Sequence, residues 1–308
     1  MADEIVVSGL GDLILTSTLS KEIELLLADR ASFRNNMALV DMGDVAGSNS
    51  TTRKQRYAGL DGYTEMAAVA EGAAVANTAL ADNSQTVAVG RQALQYEETD
   101  LAEMILEDGS VDPERLAASM VGSADMRFTS MICGVIDDFS QTAGLSGADF
   151  TFAYFQSGIY LLERAPCPTG ILWSILAPIQ VTDLQTDVTS LGGVVQYMAA
   201  TQEMITAKGQ GLIGKLLGVE IFKSQKVATS GSDRKGGIWH RGAVLFAEGT
   251  PKGKRIAANQ VLKTGRIMVE FERNASSALT KVVGNYYVGT ALSTPNDLLG
   301  VTFVSAAT

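Results

Sequence analysis

The chain has 308 residues, of which 46% are hydrophobic and 19% charged, so it is globular and long enough for one large domain or two. Its formal charge of −10 argues against a protein that wraps nucleic acid with a basic surface. The N-terminus carries acids where a signal peptide needs lysines, and no apolar run reaches the ~18 residues of a membrane span. We therefore expect a cytoplasmic protein in which Cys133 and Cys167 are free thiols.

The first hundred residues contain little that can form a core of its own. A short amphipathic helix is predicted after Ser20, either as a docked arm or as a core helix. Residues 41–62 should be loop or extended chain, and residues 64–85 are Ala-rich with little apolar bulk. Residues 86–97 alternate with polar side chains on both faces, as in an exposed strand. We predict a long hairpin over 51–97 that leaves the body and is covered by another subunit.

Two groups of opposite charge accompany this predicted hairpin. Residues 97–108 combine acids with Leu and Ile, which predicts a short acidic helix. Its charged side is either a solvated face or a contact with the basic cluster of a neighbouring subunit. The candidate inter-subunit contacts are Arg53, Lys54 and Arg56 on the basic side, and Glu97, Glu98 and Asp100 on the acidic side.

A long amphipathic helix is the clearest element that the pattern predicts. Apolar residues recur every three or four positions over 111–139, with Asp112 as a cap and Pro113 in the first turn. Such a helix is about 40 Å long. Gly122 and Gly134 each cost about 1 kcal/mol relative to Ala, so we expect a bend or a close approach at these positions.

The second half of the chain mixes helices and strands, which predicts an α+β or α/β unit. Helices are predicted at 149–165 and 188–207. Strands are predicted at 171–178, 218–224, 243–247, 266–273, 281–292 and 300–305. The last three strands are long and alternating, which suggests that the chain returns to an earlier layer.

Two motifs could carry chemistry, but neither has the context that the chemistry needs. Gly209 to Lys215 matches both a dinucleotide loop and a phosphate loop, yet Leu216 cannot hold magnesium and the segment follows a predicted helix. We interpret it as a glycine turn into the strand at 218–224. His240 is the only histidine, has no adjacent carboxylate to orient it, and is interpreted as a surface or strand-edge residue. No catalytic, cofactor-binding or metal-binding residue is predicted, so we do not expect an enzyme.

The order of these segments resembles the major capsid proteins of tailed bacteriophages, which have the Hong Kong 97-type fold. Residues 214–227 look like that family's Gly-hydrophobic-Gly strand motif with its turn, and 242–249 resembles the strand that follows. Residues 266–303 are similar to the family's ending, with an acidic strand, an aromatic strand containing Gly289, and a final strand after Gly300. The resemblance covers nearly the whole chain.

This resemblance implies an α+β fold with four parts. In order, they are an N-terminal arm (1–50), an extended β-hairpin loop over a neighbouring subunit (51–97), a peripheral domain with the long spine helix (98–148 and 265–292) and an α/β axial domain (149–264 and 293–308). In the family the spine helix is bent in the precursor shell and straighter after expansion. Because the resemblance implies such a change in curvature, Gly122 and Gly134 are candidate hinges.

The resemblance also implies partners. The protein would form hexamers and pentamers of an icosahedral virion shell, assembled in the host cytoplasm, with double-stranded DNA held weakly and non-specifically inside. A separate scaffolding protein and a portal are expected, and a decoration or cement protein is left open. The prototype of the fold joins a Lys of the extended loop to an Asn of another subunit. Lys54 and Asn285 are candidates here, but no carboxylate can be assigned to the reaction, so we expect no crosslink.

Three alternatives remain open at this point. An encapsulin-type compartment shares the fold and differs in what it encloses. A nucleotide-dependent enzyme acting at Gly209–Lys215 belongs to a different class of protein, and the context of that motif disfavours it. A tail-tube protein is disfavoured by the long helix and by the α/β unit.

Overall fold

The computed structural model describes most of the chain after residue 38. The described residues are 39–46, 48–58, 68–71, 74–75, 82–99, 113–164, 170–190, 197–199, 201, 212–250, 260–264, 267–274, 276, 279–293 and 299–307. Their helices are α1 (Pro113–Asp137), α2 (Phe152–Arg164) and α3 (Pro178–Ser190). The strands form two large sheets and a separate two-stranded hairpin.

Sheet 1 is built around its longest strand, β15. In spatial order it contains β1 (Leu39–Asp44), β12 (Val244–Glu248), β15 (Leu279–Leu292), β14 (Ile267–Asn274) and β13 (Gln260–Thr264), and β4 (Gly90–Thr99) also pairs with β15. Both β14 and β4 pair with residues 279–286, so they lie on opposite sides of β15. Because side chains alternate along a strand, Gly284 and Tyr286 face α1, whereas Lys281, Val283 and Asn285 face away from it.

Sheet 2 is a mixed sheet of eight strands. In spatial order it contains β5 (Gln141–Gly144), β16 (Gly300–Ala306), β11 (Asp233–His240), β6 (Leu172–Leu176), β9 (Val219–Lys223), β8 (Leu212–Leu216) and β7 (Tyr197–Ala199), and β10 (Ala228–Ser230) pairs with β11. Ile175 and Trp239 belong to the core shared with α1, whereas their neighbours Leu176 and Ile238 pack in the core with α2 and α3. Both faces of this sheet are therefore buried.

Helix α1 joins the two sheets. Its C-terminal half places Phe128, Ile132 and Ile136 in one core with side chains of both sheets, including Phe246 of sheet 1 and Trp239 of sheet 2. Its N-terminal half contributes Met120 and Val121 to a smaller core that contains only sheet 1 residues besides the helix. Each fully buried apolar side chain of this kind contributes about 1.5–3 kcal/mol. The helix therefore has one end held by two sheets and the other by one.

Two side chains of α3 fix the helices to the rest of this unit. Gln180 is fully buried, and its Oε1 accepts the N–H of Ala177 at 3.0 Å, as a residue in the first turn of a helix can. Its Nε2 donates to Ser305 Oγ at 3.0 Å, which attaches α3 to sheet 2. Asp187 accepts the N–H of Phe152 at 2.7 Å and so caps α2.

Most elements predicted from the sequence are present. The helices predicted at 111–139 and 149–165 correspond to α1 and α2. The strands predicted at 171–178, 218–224 and 243–247 correspond to β6, β9 and β12, and the last three predicted strands correspond to β14, β15 and β16. The predicted helix after Ser20 lies outside the described residues.

The predicted bounds of one helix, the hairpin and the acidic helix were wrong. A helix over 188–207 is excluded because Tyr197–Ala199 is strand β7, and the helix lies earlier, in α3. The hairpin is shorter than 51–97, because β4 pairs with β15 inside sheet 1. The acidic helix cannot begin at residue 97, since Gly90–Thr99 is extended; residues 100–108 lie outside the described residues.

Candidate assembly elements

A two-stranded hairpin adjoins sheet 1. Strands β2 (Thr52–Ala58) and β3 (Asp82–Ala88) pair antiparallel, from Thr52 opposite Ala88 to Ala58 opposite Asp82. In the part of the chain that the structure describes, these two strands form a sheet by themselves. After the single residue Val89, β3 continues into β4 of sheet 1, so the hairpin is attached to the body at one end.

The base of this hairpin is packed tightly against sheet 1. Val87 is fully buried and contacts Leu245 and Ala247 on the face of the sheet away from α1. The N–H of Val89 donates to the carbonyl of Thr51 at 2.8 Å and ties the two hairpin strands together. A Cβ on Gly289 would lie 2.0 Å from the carbonyl oxygen of Ala88, so only glycine permits this approach. The start of the hairpin therefore has a fixed direction relative to the sheet.

Asp44 links three segments at the hairpin base. Its Oδ1 accepts the N–H of Thr250 at 3.0 Å and that of Ala46 at 2.8 Å, and its backbone carbonyl accepts a hydrogen bond from Arg53. Burial raises the pKa of Asp44, but the hydrogen bonds from Thr250 and Ala46 and the charge of Arg53 outweigh burial and hold the pKa below its usual range. The ionised form of Asp44 is therefore the form that holds the base together.

The three basic candidates occupy different places on the hairpin. Arg53 is half-buried and bound to Asp44, so it belongs to the base. Lys54 is exposed and lies opposite Thr86 in the pairing of β2 with β3. Arg56 lies two residues further along β2, opposite Ser84.

The acidic candidates fall at the end of β4. Glu97 lies opposite Lys281 and its Oε1 is 3.3 Å from Lys281 Nζ, with about half of the Glu97 side chain exposed. Glu98 lies opposite Thr280 in the same ladder. Asp100 lies outside the described residues. Glu97 thus has a partner within the chain and still presents surface to solvent.

The candidate hinges lie within an unbroken α1. Gly134 is exposed, and a Cβ there would meet no atom within 4 Å, so the expected close approach is absent. Gly122 is half-buried. The close approach occurs at glycines of sheet 2 beneath the helix. A Cβ on Gly237 would lie 2.3 Å from Ile136 Cγ2, and one on Gly300 would lie 2.3 Å from the ring of Phe139.

A cleft of about 320 Å³ separates the N-terminal half of α1 from sheet 1. Met120, Ser123 and Arg127 line it from the helix, and Gln92 and Tyr286 line it from the sheet. Arg127 Nε donates to Gln92 Oε1 at 2.9 Å and links the two walls. The helix is therefore packed less densely on sheet 1 than on sheet 2.

The crosslink candidate Asn285 has a defined environment. It is fully buried on the face of β15 away from α1. Arg91 Nε donates to Asn285 Oδ1 at 2.6 Å, and Asn285 Nδ2 donates to Glu270 Oε2 at 3.3 Å. The sequence analysis missed Glu270, although the alternation of two consecutive antiparallel strands places both residues on one face.

The remaining sequence motifs do not form a chemical site. Gly214 and Lys215 lie in strand β8, and Lys215 Nζ is 3.0 Å from the buried carboxylate of Glu220, so the predicted glycine turn is wrong at this point. His240 ends β11, which is an interior strand and not an edge; burial lowers its pKa. Cys133 is a free thiol in the core, and burial raises its pKa to about 12. Cys167 lies outside the described residues.

The described ranges contain neither a candidate metal centre nor a helix that could span a membrane. No group of His, Cys, Asp and Glu side chains there could hold a metal ion. No helix in that part of the chain has both the length and the apolar character to cross a membrane. The features that stand out are the hairpin, its base and the long helix, which are structural elements.

The hairpin, the long helix and the two sheets together form the Hong Kong 97-type capsid fold, as the sequence predicted. The capsid of Ralstonia phage GP4 matches with a TM-score of 0.62 at 10% identity, over 91% of this chain and 92% of that chain. The capsid of cyanophage Pam1 matches with a TM-score of 0.59 at 12% identity, over 90% and 92%. The SrpI encapsulin of Synechococcus elongatus matches with a TM-score of 0.54 at 14% identity, over 75% and 79%. No family model matches the sequence, and no curated protein matches it by sequence.

Proposed function

We propose that the chain is the major capsid protein of a tailed bacteriophage, a non-enzymatic protein that assembles into the hexamers and pentamers of an icosahedral shell around double-stranded DNA. The observation that carries this proposal is the hairpin β2–β3. In the described part of the chain β2 and β3 pair only with each other, and a two-stranded hairpin is marginally stable in water by itself and gains stability when a second copy covers it. The fold is the one found in the capsids of phages GP4 and Pam1.

The charges on the hairpin suggest where a second copy binds. Strand β2 carries the cations Lys54 and Arg56 on a chain with a net charge of −10. Acidic residues at and beyond the end of β4, namely Glu97, Glu98 and Asp100, offer the complementary surface on a neighbouring subunit. Arg53 is already bound within its own chain and contributes to the base of the hairpin instead.

A charge-reversal pair tests this contact. Lys54→Glu is expected to weaken assembly, and Glu98→Lys in the same chain is expected to restore part of it, because opposite charges then face each other again. Assembly is measured by sedimentation at low and high salt. If the double variant assembles no better than Lys54→Glu alone, these residues are not partners.

The division into an arm (1–50), an extended loop, a peripheral domain (98–148 and 265–292) and an axial domain (149–264 and 293–308) is part of the same proposal. The extended loop, expected over 51–97, is cut back to end at Val89, because β4 belongs to sheet 1. A hinge role for Gly122 and Gly134 in shell expansion is also part of the proposal. The double variant Gly122→Ala, Gly134→Ala is expected to fold but to alter expansion. Unchanged expansion in this variant removes the hinge role and leaves the fold assignment standing.

The proposal includes partners and a place of assembly. A separate scaffolding protein would set the shell size, a portal would occupy one vertex, and a decoration or cement protein is compatible with the fold. Packaged DNA would touch the inner surface weakly and without sequence preference, as expected for an acidic chain. Assembly would take place in the cytoplasm of the host bacterium, and the final location would be the virion capsid.

The buried position of Asn285 supports the expectation that no covalent crosslink forms. Its amide is occupied by Arg91 and Glu270 within the same chain. Assembled particles boiled in detergent are expected to run as single chains on a gel. A ladder of multiples that disappears in Lys54→Ala would contradict this expectation.

An encapsulin-type compartment is the alternative function, favoured by the match to SrpI. Electron microscopy of particles purified from the native source distinguishes the two functions. Shells filled with DNA and carrying a portal at one vertex support the capsid proposal, whereas shells filled with an enzyme support the alternative. If the chain forms neither shells nor capsomers, with or without scaffolding protein, both are wrong.

A further inference from the structure

The turn between β8 and β9 has an unfavourable residue in its first central position. Leu217 has a φ of 51° and Gly218 a φ of 83°, which are the angles of a two-residue turn that favours Asn-Gly. Glycine adopts this conformation at no cost, but a bulky residue is strained in it. The other non-glycine residue with positive φ in the described ranges is Asn49, which tolerates that conformation well.

The same leucine is also poorly placed with respect to solvent. Its side chain is 49% exposed, although it lies at a position where a polar residue would fit better. Strand β6 runs parallel to β9 with Trp173 level with Glu220, so Ile171 lies level with Gly218 on the neighbouring strand. Ile171 is 51% exposed. Two large apolar side chains therefore project from one end of sheet 2.

We infer that Leu217, together with Ile171, is an apolar contact that inserts against a second copy of this chain in the assembled shell. The strain and the exposure are both unfavourable in an isolated subunit, and burial of the side chain by another surface offsets them. A second copy offers such surface, because Leu145 after β5 and Tyr160 on α2 are each 60% exposed. These residues lie away from the turn, so the contact is head-to-tail, the type that closes into rings.

This inference rests on the proposed function, because it requires copies of the chain to associate. It predicts effects of opposite sign on the subunit and on the shell. Leu217→Asn relieves the backbone strain, so the melting temperature of the unassembled subunit should rise by a few degrees. The same variant should raise the protein concentration needed for assembly by about tenfold or more.

The experiment compares the wild type, Leu217→Asn and Leu217→Met. The subunit is melted below the assembly threshold, and assembly is followed by sedimentation and electron microscopy over a concentration series. Leu217→Met keeps the apolar side chain and the strained backbone, so it should melt and assemble like the wild type.

Three outcomes would overturn the inference. If Leu217→Asn assembles at the wild-type concentration, the contact is wrong while the proposed function stands. If Leu217→Asn melts at a lower temperature, the turn serves the stability of the subunit and the inference is wrong. If the wild type does not self-associate under any condition, the inference and the proposed function both fail.

Discussion

The two sheets of this protein are buried to different extents. Sheet 2 has α1 on one face and α2 and α3 on the other, and its strands alternate between two apolar cores. Sheet 1 has α1 on one face, with a cleft of about 320 Å³ beneath the helix, and the hairpin base packs against its other face near Leu245 and Ala247. A sheet packed closely between helices forms a stable body, whereas a sheet with a cleft beneath its helix keeps space into which neighbouring groups can move.

A matched pair of isoleucines measures this difference directly. Ile238 of sheet 2 and Ile267 of sheet 1 are both buried, but Ile267 lines the cleft. We expect Ile238→Ala to lower the free energy of unfolding by about 4 kcal/mol and Ile267→Ala by about 2 kcal/mol, because the loss depends on how completely a site is packed. Denaturant titration of the unassembled subunit gives both values. Equal losses would show that the two cores are equally dense.

A pair of glycines beneath α1 gives the next largest effect. A Cβ on Gly237 would meet Ile136 Cγ2 at 2.3 Å and the backbone oxygen of Val301 at 3.0 Å, whereas one on Gly284 would meet the flexible side chain of Met120 at 3.2 Å. We expect Gly237→Ala to cost about 2 kcal/mol and Gly284→Ala less than about 0.5 kcal/mol. Thermal unfolding distinguishes them. A larger loss for Gly284→Ala would mean that α1 is held more tightly by sheet 1 than by sheet 2.

Loss of the Asp44 carboxylate should loosen the hairpin base and leave the two cores intact. Asp44→Ala is expected to increase protease cleavage within 45–58 several-fold at pH 7, with global stability changed by less than about 0.5 kcal/mol. Because the pKa of Asp44 is lowered in the folded chain, its contribution is complete above the usual pKa of 3.8 and is lost as the pH falls through the lower folded value.

A change of pH in the wild type and a second variant, Asp41→Ala, serve as controls for this prediction. As the pH falls below 3.8 and through the folded pKa of Asp44, the exchange rate of the Thr250 amide hydrogen in the wild type should approach the rate that Asp44→Ala shows at pH 7, after correction for intrinsic rates. Asp41→Ala removes only a local hydrogen bond to Gly43 and should protect the hairpin base as the wild type does. Equal cleavage of all three proteins at pH 7 would show that Asp44 does not hold the base.

The smallest expected change is a gain at the exposed side of α1. Gly134→Ala places its methyl group in open space and improves helix propensity, so the free energy of unfolding should rise by up to about 1 kcal/mol. Thermal unfolding of the single variant measures this gain. A loss of stability would mean that Gly134 accommodates a bend in the subunit.

The sequence predicted the elements whose side-chain pattern was strong. Helix α1 and strands β14 and β15 have a clear period, because apolar side chains recur on the face that each packs into a core. The sequence did not predict β11, because Gly236 and Gly237 argue against a strand. In the structure, glycines are needed at these positions because Gln180 and Ile136 approach the strand closely. Helix α3 was not predicted, because Pro178 is compatible with the end of a strand. Proline also suits the first turn of a helix, and α3 begins at this residue.

The candidate assembly elements were predictable in part for the same reason. The basic cluster and the hairpin are local features, so composition and alternation were enough to find them. The placement of β4 in sheet 1 depends on pairing with β15, about 190 residues later in the chain, as the bond between Arg91 and Asn285 illustrates. Such long-range pairing leaves no local signal in the sequence. The roles of Asp44 and Glu270 depend on contacts between distant segments and were therefore not predicted.

Strand β3 passes almost directly into β4, so the hairpin and sheet 1 move together. With only Val89 between the two strands and Val87 buried at the base, a rotation of sheet 1 must carry the hairpin with it. The seven residues of β3 span about 23 Å at ~3.3 Å per residue, so a rotation of about 10° displaces the far end by about 4 Å. That displacement approaches the spacing of two adjacent strands. In the proposed shell, a modest rotation of one subunit would therefore be enough to change which groups of the next subunit the hairpin touches.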